Sequence, residues 1–506
     1  MASQDHKQLH FVLFPLMAQG HILPMIDMAR LFAERGVIIT IVTTPLNALR
    51  FKPIIDRSIQ SGLPIRLLNL RFPSVEAGLP EGCETADSIP SQELITNFFV
   101  ATTMLQEPLE QAFGELQPVP SCIISDMGFP WTAETAKKFQ IPRIVFHGTC
   151  CFSLLCNHNI LKHKLHESIT SDSEPFVVPG LPDRIEITKA TIPGNIYHNC
   201  ADQKEFRDQI REAELTAYGV VVNSFEELEP KYVEEYLKAK TNKVWCIGPV
   251  SLCNKETLDK VERGNKASID ENQCLKWLDS REPCSVVYVC FGSLCRLTDS
   301  EMMELALGLE ASGRPFVWVI RGGERYSELE KWLFEEKFEE RTKDRGLVIK
   351  GWAPQVLILS HRAIGGFLTH CGWNSTLEGV CAGIPMITWP MFAEQFFNEK
   401  LVVQVLRIGV RVGEDDVPAS KLEGEKKVEG MGKKKKEEVE KAVNRAMDGG
   451  EEGEERRRRV REYAEKARKA MEEGGSSHFN MTLFIQNIMR YQASKELPIP
   501  VENTTE

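Results

Sequence analysis

The sequence predicts an α/β protein built as two doubly wound domains that face each other across a cleft. Three observations carry this reading. Short β-branched runs alternate with helical stretches through both halves of the chain. One charged stretch without apolar periodicity separates the halves, and 506 residues is more than a single core usually supports.

The elements follow in order. His10–Met17 (HFVLFPLM) reads as the first strand, followed by a turn at Gly20-His21 and a helix near Pro24–Arg35 that Gly36 ends. Val37–Thr44 is the second strand. The rhythm returns at Ser121–Asp126, with a helix near Trp131–Phe139 and a strand at Arg143–Gly148. A run of GVVVN after Tyr218 closes on Ser224-Phe225-Glu226-Glu227, whose spacing predicts a capping box and a helix start. Strand-then-helix repetition means βαβ units and a parallel sheet covered on both faces.

Residues 1–250 therefore form a first domain, and 251–268 (SLCNKETLDKVERGNKAS) a linker. A second series, residues 269–474, opens with Ser285–Cys290, a turn at Phe291-Gly292-Ser293, and a helix started by Thr298 with Glu301 three residues on. Strands follow at Phe316–Arg321, Leu347–Lys350, Ile364–Thr369 and Pro385–Trp389. Open α/β sheets bind ligands outside the carboxyl ends of their strands, which places a site in the cleft.

Composition narrows the function. Hydrophobic residues are 42% and charged residues 26%, ordinary globular usage that excludes disorder. Lys and Arg number 61 against 72 Asp and Glu, a net charge of −11 that disfavours general nucleic-acid binding. Lys433–Lys436 and Arg456–Arg459 are interleaved with glutamates, the pattern of a solvated helix or loop. The polar N-terminus and the short apolar run behind it match neither a membrane span nor a secretory signal, so a soluble cytoplasmic protein without a membrane anchor is expected. Fourteen cysteines with no C-x-x-C pair read as buried small hydrophobes in a reducing compartment.

The stretch from Trp352 to Gln395 carries the chemistry. The strand Ile364–Thr369 ends at His370, Cys371-Gly372 make a tight turn, and Asn374 or Ser375 caps the helix that follows. A small-residue turn feeding a helix N-terminus is an anion site, because unpaired N–H groups and the helix dipole both favour phosphate. Gly292-Ser293 offers a second such turn. Ser375-Thr376-Leu377-Glu378 is also a capping box, so Glu378 could serve the helix start instead of a ligand. Trp352, Trp373 and Trp389 could be core aromatics, although the first two flank strand ends. His21 and Asp126 follow neighbouring strands, and a histidine beside a carboxylate at a cleft is a general-base arrangement.

Trp352-Ala353-Pro354-Gln355, His370-Cys371-Gly372-Trp373-Asn374-Ser375, Glu378 and Glu394-Gln395 resemble the signature box of plant small-molecule UDP-glycosyltransferases. The opening FVLFPLMAQGHILPM and the EEGGSS tail are similar to the same family, so the resemblance spans nearly the whole chain. It implies two Rossmann-like domains in the GT-B architecture, with residues 475–506 forming a helix that crosses back to the first domain, and a tail. By that resemblance Trp352 stacks on uracil and the Ala353 backbone bonds its edge, while Gln355 and Glu378 hold the ribose. His370, Asn374, Ser375 and Ser293 bind the diphosphate, and Trp373, Glu394 and Gln395 read the sugar. Gln395 is similar to glucose-using members, and Glu394 replaces an Asp usual at its place. His21 is the implied base and Asp126 its orienting partner.

The implied reaction is inverting transfer of glucose from UDP-glucose, a co-substrate and not a cofactor, to a hydroxyl of a flavonoid, triterpenoid, steroid or cytokinin. No D-x-D triplet of the metal-dependent glycosyltransferases occurs, so no metal site is expected. Phe129, Thr149, Phe152 and Tyr197 are the expected acceptor walls, and a monomer is expected. The insertion Glu414–Lys436 is richer in Lys, Glu and Gly than the family's usual one.

Three rivals are weaker. A nicotinamide oxidoreductase needs G-x-G-x-x-G after the first strand, which Leu16-Met17-Ala18-Gln19-Gly20 does not supply. A hydrolase needs the second glycine of G-x-S-x-G, absent from Phe291-Gly292-Ser293-Leu294-Cys295. A non-catalytic sugar-nucleotide binder has no need of His21 and Asp126.

Overall fold

A computed structural model describes residues 8–169, 171–193, 201–241, 243–321, 326–413 and 434–496. The first parallel sheet contains β1 (His10–Phe14), β2 (Ile38–Thr43), β3 (Ile65–Asn69), β4 (Cys122–Asp126) and β5 (Arg143–His147). A small antiparallel pair, β6 (Phe176–Val177) and β7 (Glu186–Ile187), lies outside it, and β8 (Gly219–Val222) and β9 (Lys243–Cys246) complete it. The order is β3-β2-β1-β4-β5-β8-β9. β1 pairs with β2 on one side (Phe11 opposite Ile39) and β4 on the other (Phe11 opposite Cys122), so the order reverses at β1/β4.

The second sheet is also parallel and has the same plan. It comprises β10 (Val286–Cys290), β11 (Phe316–Ile320), β12 (Gly346–Lys350), β13 (Ile364–Thr369), β14 (Met386–Thr388) and β15 (Gly409–Arg411), ordered β12-β11-β10-β13-β14-β15. Its order reverses at β10/β13. A crevice opens at each reversal, where the loops leaving adjacent strands diverge to opposite faces.

Local chemistry explains where elements begin. β1 stops at Phe14 because Pro15 has no N–H for a sheet. The helix Gln19–Ala33 begins earlier than Pro24, so His21 lies in its first turn and not in a loop. Thr298 and Glu301 form the reciprocal capping box that opens Asp299–Ala311. The box expected at Ser224–Glu227 does not open a helix. That helix is Pro230–Ala239, because Pro230 suits the first helical position, and Ser224 instead bonds the buried Glu229 carboxylate.

The interval 251–268 is closely packed. Arg30 Nη1 donates to Asn254 at 2.8 Å, and Arg30 Nη2 pairs with Asp259 at 2.6 Å. The helix Ser476–Glu496 buries Met481, Phe484 and Ile488 in the core of the first sheet, with Phe484 against Phe11, Phe32 and Trp245. The run Arg456–Arg459 lies on the helix Glu451–Met471 and is only partly solvated: Arg458 is exposed and pairs with Glu455 and Glu462, whereas Arg456 is buried and bonds the Arg445 carbonyl and Glu452. The described cysteines are free thiols, most of them buried. Among the described residues no helix is long and apolar enough to cross a membrane. Residues 414–433, most of the unusual insertion, lie outside the described residues.

Candidate active site

Asp126 ends β4, and His21 stands in the helix that follows β1, so the β1/β4 reversal brings them together. His21 Nδ1 lies 2.6 Å from Asp126 Oδ2, and the other carboxylate oxygen accepts the Gly128 N–H at 2.9 Å. An Nδ1 against a carboxylate carries the ring proton, which leaves Nε2 as the basic nitrogen of a neutral ring. Asp126 is 1% exposed, whereas the His21 side chain keeps 34% of its surface. Burial alone pulls the imidazole pKa down, but the Asp126 charge, the hydrogen bond to it and the Glu394 charge outweigh this and raise it above the ordinary value. Burial likewise holds the Glu394 carboxyl above its usual range, against the pull of its own hydrogen bonds and of His21.

On the opposite domain, β13 runs into His370-Cys371-Gly372 and the helix Trp373–Ala382. Cys371 occupies the left-handed region (φ 64°), as does Ala393 (φ 54°) just before Glu394. Gly372, and not Asn374 or Ser375, is the N-cap residue, and it has no side chain to cap the helix. The Glu394 carboxylate takes the Trp373 N–H, and the N–H groups of Asn374 and Ser375 in the same first turn are the ones that suit an anion. The capping box at Ser375–Glu378 is not formed, since both residues lie inside the helix.

Gly292 (φ 71°) and Gly372 lie against the His370 ring. A Cβ on Gly292 would meet Cε1 at 2.6 Å, so the two turns converge only because both positions lack side chains. Burial, helped by the Arg321 charge, lowers His370 to about 4, so the ring is neutral at pH 7 and acts as a hydrogen-bonding group.

Gln355 Nε2 donates to Ser375 Oγ at 3.0 Å and to Glu378 Oε2 at 2.7 Å, and Arg263 pairs with the other Glu378 oxygen. The Arg321 guanidinium lies 4.0 Å from the centre of the Trp352 ring. Gln395 Oε1 accepts the N–H groups of Met391 (2.8 Å) and Phe392 (3.1 Å), which turns its NH₂ towards Cys295.

The comparisons with known proteins agree with this geometry. A family model described as UDP-glucoronosyl and UDP-glucosyl transferase matches residues 269–424, and one for a glycosyltransferase N-terminal domain matches 7–252. UDP-glycosyltransferase 73C11 of Barbarea vulgaris is 55% identical over 487 residues, covering 96% of this chain and 97% of that protein. UDP-glycosyltransferase 73C3 of Arabidopsis thaliana is 56% identical over 490 residues, with the same coverage. The chain belongs to the plant UDP-glycosyltransferase family. The crystal structure of Glycyrrhiza uralensis UGT73P12 complexed with glycyrrhetinic acid 3-O-monoglucuronide superposes with a TM-score of 0.87 at 37% identity, covering 97% of each chain. The architecture is thus GT-B, and the protein is an enzyme that transfers sugar from a UDP-sugar to small molecules.

In this UDP-glycosyltransferase the remaining expected residues differ in exposure. Ser293 and Thr149 are partly exposed at turns that leave β10 and β5, and Ala353 is buried beside Trp352. The Trp373 indole N–H is committed to the Asn223 carbonyl of the first domain at 2.7 Å, so that nitrogen is not free for a sugar. Phe129 and Phe152, expected as acceptor walls, are both fully buried, Phe129 against Phe14 and Trp131 and Phe152 against Tyr232. Tyr197 lies outside the described residues.

Two cations at the site escape sequence reasoning. Arg321 carries a weak signal, a basic residue directly after β11 at the sheet's carboxyl edge. Arg263 carries none, because it sits in a stretch where charge is unremarkable.

Proposed function

We propose that the enzyme transfers glucose from UDP-glucose to a hydroxyl of a hydrophobic plant small molecule with inversion at the anomeric carbon, His21 acting as general base. The observation that carries this reading is the 2.6 Å contact of His21 Nδ1 with the buried Asp126. It leaves Nε2 to take the acceptor's hydroxyl proton as the oxygen attacks, while Asp126 fixes the ring's tautomer and stabilises the imidazolium. The C1–oxygen bond forms on the face opposite UDP as the bond to the diphosphate breaks. Negative charge growing on the departing diphosphate meets neutral His370, Ser293, Ser375, Asn374 and the N-terminus of the helix Trp373–Ala382. That stabilisation is supplied by the chain itself and asks for no metal or other cofactor.

Trp352 is read as the uracil platform, with Ala353 bonding the base edge and Gln355 and Glu378 holding the ribose. Glu394, Gln395 and Trp373 are read as addressing the sugar. Glutamine at position 395, where glucose-using members carry it, supports glucose. For the acceptor, the monoglucuronide of glycyrrhetinic acid seen with UGT73P12 favours the triterpenoid class, with flavonoids, steroids and cytokinins as further candidates. The enzyme is read as a cytoplasmic monomer.

The test incubates purified protein with UDP-glucose, UDP-galactose or UDP-glucuronic acid and a pool of triterpenoids, flavonols, steroids and cytokinins, with mass spectrometry of the products. Hexose transfer from UDP-glucose that disappears in His21→Ala supports the reading. Preferential transfer from another donor overturns glucose, and undiminished turnover by His21→Ala overturns the base.

A further inference from the structure

Arg263 lies between the domains and is 7% exposed, with a carboxylate on each side of it. Its Nε and Nη2 donate to Asp27 Oδ2 at 3.0 and 2.9 Å, and its Nη1 pairs with Glu378 Oε1. Asp27 belongs to the helix that carries His21, and Glu378 to the helix that starts at the anion turn. Both carboxylates are more deeply buried than the arginine, at 1% and 5% exposure.

The next residues continue this bracing. Gly264 (φ 107°) presses on the Trp352 ring, where a Cβ would overlap Cζ2. Asn265 Oδ1 accepts Gln19 Nε2 at 3.2 Å, two residues from His21. Ser268 donates its N–H to the Trp352 carbonyl (2.8 Å) and accepts the Trp352 N–H on Oγ (2.9 Å).

We propose that Arg263 is a positioning residue of the nucleoside site, which sets the Glu378 carboxylate for the ribose and, through Asp27, ties that setting to the His21 helix. This rests on the reading of Glu378 as a ribose ligand. A guanidinium suits the task because its planar fork spans two carboxylates, which the point charge of a lysine cannot do. One Glu378 oxygen is held by Arg263 and the other meets Gln355 at 2.7 Å, so the carboxylate is fixed at both oxygens and cannot rotate freely. With Gly264 and Ser268 on Trp352, the interdomain segment backs both side chains that would clasp uridine.

The experiment compares binding of UDP and 2′,3′-dideoxy-UDP by calorimetry, with pyrophosphate inhibition as a control, in the full chain and in Arg263→Met, Arg263→Lys and Asp27→Asn. Loss of the hydroxyl contacts to a charged group should cost the wild-type protein about tenfold in affinity for the dideoxy analogue. In Arg263→Met this discrimination should fall to about twofold with pyrophosphate inhibition unchanged, and Arg263→Lys should not restore it. Asp27→Asn, which keeps the shape of the site, should reduce discrimination at least threefold. Folded Arg263→Met or Asp27→Asn protein that discriminates as well as wild type overturns the inference while leaving the ribose reading intact. Wild-type protein that does not discriminate overturns the ribose reading and this inference with it.

Discussion

Asn374 Nδ2 donates to the Gly20 carbonyl at 2.6 Å, joining the start of the anion-site helix to the residue just before His21. The acceptor is free because of Pro24. Inside Gln19–Ala33 the Gly20 carbonyl would ordinarily take the N–H four residues on, and proline has none. A defect in one helix thus becomes the attachment point for the other domain.

Pro24→Ala tests this. The new N–H can satisfy Gly20 within the helix and compete with Asn374. Thermal unfolding should occur at a higher temperature, while kcat/KM falls about fivefold, the equivalent of roughly 1 kcal/mol for one hydrogen bond. A rise in both quantities would show that the contact does nothing for turnover.

If His21 is the general base, its pair with Asp126 sets the acid limb of the pH–rate profile. The folded protein binds a proton on His21 more tightly than a free histidine does, and a base must be neutral to act, so rate should then be lost as pH falls through a value above the ordinary 6.5. In Asp126→Asn the limb should move to lower pH and the plateau should drop. His21→Ala should lose about 10²–10⁴-fold in kcat. For stability the sign is opposite to catalysis: the pair's contribution is present below the unfolded-state pKa and is lost as pH rises through the folded value. Initial rates and urea midpoints across pH read the two separately.

His10 and His370 act in the other direction. Burial lowers each to about 4, so between 6.5 and about 4 the unfolded chain takes up protons that the folded protein refuses. The contribution of these two histidines is complete above 6.5 and declines through that window, by about 2 kcal/mol for each at pH 5. His10→Gln should therefore flatten the decline in urea midpoint between pH 7 and 5. A decline as steep as the wild type's would remove His10 from this account.

Trp352 is approached by Arg321 from one face and by Gly264. If the ring is the uracil platform, Trp352→Ala should weaken UDP binding by about 1–3 kcal/mol, the usual worth of stacking a base on an aromatic ring, and leave pyrophosphate inhibition unchanged. Equal loss for both ligands would assign the tryptophan a purely structural part. Fluorescence titration and competitive kinetics measure the two effects.

What the sequence made legible was local. β10 (Val286–Cys290) falls within its expected span because a buried parallel strand is one uninterrupted apolar run, and Thr298 with Glu301 announces a helix because a capping box lies within four residues. The start expected at Ser224 failed because Pro230 decides it, and the Ser224 hydroxyl had a better partner in buried Glu229. Phe129 and Phe152 look the same in sequence whether they face a ligand or a core, and only their neighbours decide. Arg263 was illegible for a different reason. Its partners Asp27 and Glu378 are 236 and 115 residues away, and an arginine in a charged stretch resembles a solvated one until the domains meet.

The helix Ser476–Glu496 sets an order of events on the chain. Phe484 touches Phe11 and Phe32, so the core of the first sheet has a hole in it until residues from the far end of the sequence arrive. The half synthesised first is therefore the half completed last, and it must wait through the making of the whole second sheet with apolar surface uncovered. Closing a contact across that separation is slow compared with folding within either sheet. Folding yield in a cell should accordingly depend on what shields the first domain during that interval.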